Sequence, residues 1–153
     1  MVSAIASELI NKDRYYSAVN GRLDFKRPGH DALILNGTVP LANDFLPAGQ
    51  TLAVDFGGVS AMFVLDAKGN ALTSQGRVGV KVKPGQPARF TIKLNGAFAA
   101  SWSDEGVDPN SSAKNQPVSF AVTLTVGAAA FMKQIPVTYS ARAGASGAFR
   151  FAK

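Results

Sequence analysis

The chain has 153 residues, of which 46% are hydrophobic and 17% charged, with 15 glycines, 8 prolines, no cysteine and a formal net charge of +6. That balance predicts one folded domain able to bury most of its apolar surface. It excludes a disulfide-stapled scaffold and any thiolate nucleophile or thiolate metal site. No apolar run reaches the roughly 18 residues a bilayer-spanning helix needs.

At the N-terminus, Val2, Ile5, Leu9 and Ile10 stand at roughly helical spacing, so residues 1–13 read as a loose end, a short helix, or an assembly arm docking on a neighbouring subunit. The stretch from Met1 to Leu9 lacks a basic segment and carries Glu8, so it does not read as a signal peptide. A chain whose signal had been removed would look the same. From Tyr15 to Lys26, Val19, Leu23 and Phe25 alternate with Arg22, Asp24 and Lys26, which predicts a strand ended by the Arg27-Pro28-Gly29-His30 turn. Leu33, Leu35 and Val39 mark a second strand. Next come two alternating runs, Thr51–Phe56 and Val59–Leu65, joined by Gly57-Gly58, the pattern of a tight hairpin.

After an Asp66–Asn70 turn, Val78, Val80 and Val82 point inward opposite Arg77, Lys81 and Lys83. Past Pro84–Pro87, Phe90, Ile92 and Leu94 point inward opposite Arg89, Thr91 and Lys93. The alternation then breaks. Asn95–Gly106 reads as one or two helical turns, with Phe98 and Trp102 on one face and Gly106 as a left-handed stop. Trp102 is read as a plug at one end of the core, with a sugar-stacking platform as the alternative. Pro117–Val126 and Phe131–Tyr139 form a last strand pair. Residues from Ala141 on are either a tail or, through Phe149 and Phe151, an edge strand.

The expected fold is all-β: a two-sheet antiparallel sandwich of about eight strands, immunoglobulin-like, with one short helical turn near 97–105. A closed barrel is the main alternative. The arm is 1–13, the sandwich 14–140 and the tail or edge strand 141–153.

Charge is segregated. Between Ala67 and Ser103 there are six basic residues and no acid, and from Pro109 to the end five more, again with no acid. The outward set Arg77, Lys81, Lys83, Arg89 and Lys93 forms a basic face that can contact a polyanion or another partner. Lysine protecting sheet edges explains the same residues without a ligand. No outward aromatics interleave with them, which argues against nucleic acid. Asp104, Glu105, Asp108 and Asn110 gather oxygen ligands of the kind calcium takes, but their spacing does not match an EF-hand loop, and capping and turn formation by the same side chains is the stronger explanation. His30 is the only histidine, beside Asp31 with no identifiable nucleophile, and Asp24, Asp55 and Asp66 form no recognisable acid–base pair. No catalytic residue and no cofactor is expected.

Several stretches together resemble a β-rich module of secreted and surface proteins of environmental bacteria. They are Phe25–Asp31, Leu33–Pro40, Pro47–Thr51, Val54–Val59, Leu65–Gly69, Phe98–Gly106, Pro117-Val118 and Tyr139–Gly147, covering roughly residues 15–147. The chain departs from that pattern at Ala148–Ala152. The resemblance implies an extracellular or cell-surface β-domain and carries over no catalytic residue. The expected function is a non-enzymatic structural module that associates with copies of itself, as filament, matrix or array, through termini and sheet edges. The alternative is a module binding acidic polysaccharide or another polyanion through the basic face.

Overall fold

The computed structural model describes residues 16–42 and 44–151. Ten strands follow in order: β1 (Ala18–Asp24), β2 (Asp31–Val39), β3 (Thr51–Phe56), β4 (Val59–Val64), β5 (Asn70–Thr73), β6 (Gly76–Lys81), β7 (Ala88–Gly96), β8 (Ala113–Val126), β9 (Ala129–Arg142) and β10 (Ser146–Phe151). A 3-10 segment, Ala99–Glu105, lies between β7 and β8. Every strand pair is antiparallel, and all belong to one sheet of order β4-β3-β8-β9-β10-β1-β2-β7-β6-β5.

That sheet curls into a nearly closed barrel. Its two edge strands, β4 and β5, face each other across a seam that carries no ladder, and there the Gln75 side-chain amide donates to the Ser60 carbonyl at 3.4 Å. The expected two-sheet sandwich of about eight strands is therefore incorrect, and β10 is the reason. Without it, β4-β3-β8-β9 and β1-β2-β7-β6-β5 would be separate sheets. With it, β9 and β1 are each zipped to a common neighbour and the two merge. The stretch read as a tail or edge strand thus lies inside the sheet. The other added strand is β5, which continues from the Asp66–Asn70 turn.

Alternation places the core. Alternate residues of β2 from Asp31 to Val39 are buried, and Leu52, Val54 and Phe56 of β3 face inward with Ala61 and Phe63 of β4. The expected hairpin forms in that register, with Phe56 opposite Val59 and both Gly57 and Gly58 at positive φ (58° and 98°), as a I′ turn requires. Eight strands make a barrel just wide enough for side chains to fill, so ten need bulkier filling. Phe56, Trp102, Phe120 and Phe149 supply it, with ring centroids 4.7–6.0 Å apart. Phe149 fits because its cross-strand partner is Gly21: a Cβ there would collide with the ring.

The 3-10 segment closes one end. Trp102 is fully buried, and its Nε1 donates to the Phe56 carbonyl at 2.9 Å. Phe98 packs on it at 5.4 Å, and Gly106 stops the turn at φ 100°. The plug reading of Trp102 therefore holds, and its ring presents no face for a sugar. Asp31, buried at the start of β2, accepts from the backbone N–H of Asp24 at 2.7 Å and of Phe98 at 2.8 Å, tying the β1–β2 turn to the plug.

Candidate functional site

On β6 and β7 the same alternation that buries Val78, Val80, Phe90 and Ile92 turns every charged side chain outward. The register then sets Arg77 directly opposite Lys93 and Lys81 directly opposite Arg89. Like charges directly opposite on one sheet face repel and destabilise the pairing. Among the described residues the one ion pair is Arg27 with Asp24 at 2.8 Å, so no acid neutralises these four cations. Between the two charged rows lie Gly79, Thr91 and Asn70, flooring a hollow of about 430 Å³. Small neutral side chains between paired cations leave room for an anionic chain to approach the sheet.

Lys83 does not share this register. It lies beyond the end of β6, exposed, in a turn where its carbonyl accepts from the Gln86 N–H at 3.2 Å. Two other cations join the band instead. The row Arg150–Asn20–Ile34–Lys93–Arg77 crosses β10, β1, β2, β7 and β6 in continuous register, roughly 20 Å of arc at the usual strand spacing. Arg22 points outward beside Arg150, opposite Ala148. From β10 round to β5 the outward acid is Asp24, at the end of β1, where the Arg27 guanidinium holds its carboxyl below the usual range.

The other half of the barrel differs. Outward residues on β4, β3, Ser119–Thr125 of β8 and Ala130–Pro136 of β9 are Ser, Thr, Ala, Met, Val, Gln and Pro apart from Asp55, and half-buried Lys133 adds a charge on the other phase of β9. Asp55 is held in its own turn by the Gly58 N–H and the Ser60 hydroxyl. The barrel thus has a cationic half and a neutral half.

Asp108 accepts from the Asn110 N–H at 2.9 Å and the Ser111 hydroxyl at 2.8 Å, and these bonds hold its carboxyl below the usual range. Asp104 is exposed, Glu105 is half-buried, and among the described residues no three His, Cys, Asp or Glu side chains converge on a metal-sized space. Asp66 closes its turn by accepting from the Lys68 and Asn70 N–H groups. His30 is exposed, and both oxygens of its neighbour Asp31 are occupied by backbone N–H groups. Val2, Ile5, Leu9 and Ile10, the expected assembly arm, lie outside the described residues.

The class these features define is an antiparallel β-barrel with a plugged end and a one-sided cationic surface. Comparison with protein-family models, curated proteins and solved structures finds no match. Among the described residues no helix is long and apolar enough to cross a membrane.

Proposed function

We propose that the chain is a non-enzymatic binding module for a polyanion, which lies along the cationic half of the barrel. The observation that carries this reading is the pair of opposed like-charge contacts, Arg77–Lys93 and Lys81–Arg89, kept without a neighbouring acid. An arrangement that costs stability in the free protein is offset when an anion sits between the cations. Lys81→Glu is the test, because stability and binding should move in opposite directions. Placing a carboxylate opposite Arg89 replaces repulsion with attraction and raises stability by about 0.5–1 kcal/mol in thermal unfolding. The same change weakens binding to immobilised dextran sulfate at low salt, binding that in the native chain falls as salt is added. A variant that is both no more stable and equally well bound would contradict the reading.

A second reading, self-association as a structural module at a cell surface, is favoured by a different observation. The neutral half ends at the seam, where edge strand β4 exposes Met62 and Val64 and β5 exposes Leu72, with no Lys or Pro guarding either edge. Closure of the barrel leaves β4 and β5 as the edges to which another strand could add.

A further inference from the structure

Across the outside of β9, β10 and β1 runs a second, larger depression that the chain's linear order does not reveal. It consists of two adjoining hollows of about 670 and 750 Å³ that share Ser140 and Ala148. The floor is low because β10 turns only Ser146 and Ala148 outward next to Arg150, so a ligand can approach the backbone closely. Arg22 and Arg150 stand over it on adjacent strands, Arg22 opposite Ala148 and Arg150 opposite Asn20. Neither takes part in an ion pair among the described residues.

The rim carries a backbone outlier. Asn115 adopts φ 50°, the only non-glycine with positive φ among the described residues, at a register shift in β8 between Ala113 and Gln116. Its N–H donates to the Ser140 hydroxyl at 2.9 Å, which clamps the irregularity to the groove floor. Bulges and left-handed non-glycine residues cost energy, and they recur where a side chain must be aimed. Here the lining combines amide and hydroxyl groups (Asn20, Asn115, Thr138, Ser140) with the guanidinium groups of Arg22, Arg142 and Arg150, while Lys26 and the Arg27–Asp24 ion pair stand at one end. A phosphate polymer only accepts hydrogen bonds, so it would use the donors of this lining and leave the acceptor oxygens of its amides and hydroxyls idle. A chain of carboxylated sugars uses both, since its carboxylates accept from arginine and its hydroxyls pair with amides and hydroxyls. No aromatic ring stands on the outward face of these three strands, as stacking of nucleic-acid bases would need.

We infer that this groove is a saccharide subsite for uronate-bearing polysaccharide, in which Arg22 and Arg150 hold the carboxylates and Asn20, Asn115 and Thr138 the sugar hydroxyls. The inference rests on the polyanion reading and narrows it to a ligand class and a location. The site lies in line with the β6–β7 hollow through the row from Arg150 to Arg77, so one extended polymer reaches both.

The test is calorimetric titration of the full chain at low salt with an oligogalacturonate and, separately, with inorganic polyphosphate of matched charge. The variants are Arg22→Ala/Arg150→Ala, both residues exposed, and Asn115→Gly, which keeps the left-handed backbone while removing the amide. The double variant should weaken both probes about tenfold or more, because a guanidinium donates paired hydrogen bonds to carboxylate and phosphate alike. Asn115→Gly should weaken oligogalacturonate more than polyphosphate, because a sugar hydroxyl can pair with the amide oxygen as well as with its N–H groups. Equal losses for both probes in Asn115→Gly, or oligogalacturonate binding lost through Lys81→Glu but untouched by the groove variants, would overturn the groove assignment and leave the wider reading standing. Preference of the groove for a single-stranded oligonucleotide would overturn it too. Failure of the native chain to bind any of the polyanions would bring down both.

Discussion

Asp31 and Tyr139 are both buried polar side chains, yet they stand in opposite situations. Asp31 spends its two oxygens on backbone N–H groups and so fastens the β1–β2 turn to the 3-10 plug. The Tyr139 hydroxyl finds no hydrogen-bond partner among the described residues, and burial, with the Asp108 charge behind it, raises its pKa above 10.0. A folded-state pKa above the unfolded one gives stability that is fully present below pH 10 and is lost as pH rises through the folded value. Thermal unfolding should therefore show a decline on the alkaline side of pH 10 that Tyr139→Phe flattens. At neutral pH that substitution should leave stability within about 1 kcal/mol of native or raise it, because it removes an unpaired buried hydroxyl. A large neutral-pH loss would show that the hydroxyl has a partner after all.

Among the elements, β10 and β5 mark where the sequence could and could not be read. The hairpin of β3 and β4, and the β6–β7 pair with its outward cations, were legible because each buries an unbroken alternate series. β5 has no such series: Asn70, Leu72 and Thr73 are exposed and Ala71 is only half-buried, as befits a short edge strand. In β10 the inward positions are Gly147, Phe149 and Phe151, and the first carries no side chain to announce a face. Its role depends on Gly21, far away in the chain, leaving space for Phe149, a complementarity that no local pattern records. A sandwich and a barrel also demand the same alternation, so the choice between them rested on β10 alone. The groove was hidden for a related reason, since Arg22 and Arg150 come from opposite ends of the chain and meet only through the β1–β10 ladder.

Self-association by strand addition at β4 should be abolished by Met62→Lys, which puts a charge on the exposed edge strand without touching the core. Static light scattering of the native chain and the variant at high concentration checks it. A native chain that stays monomeric contradicts the edge mechanism.

Taken whole, the barrel is two-sided. One half, from β10 through β1, β2 and β7 to β6, is cationic and carries the β6–β7 hollow and the groove along β10, while β4, β3 and the adjoining lengths of β8 and β9 carry only Asp55 and half-buried Lys133. A net charge of +6 spread evenly would give weak, undirected attraction. Gathered on one half, it would, under the proposed function, orient the molecule toward an acidic polymer. Backbone amide chemical-shift mapping of the isotope-labelled chain titrated with oligogalacturonate tests this most directly. Perturbations should be confined to β10, β1, β2, β7, β6 and the facing end of β9, with β4 and β3 silent. Perturbations centred on β4 and β3, or none anywhere at low salt, would contradict it.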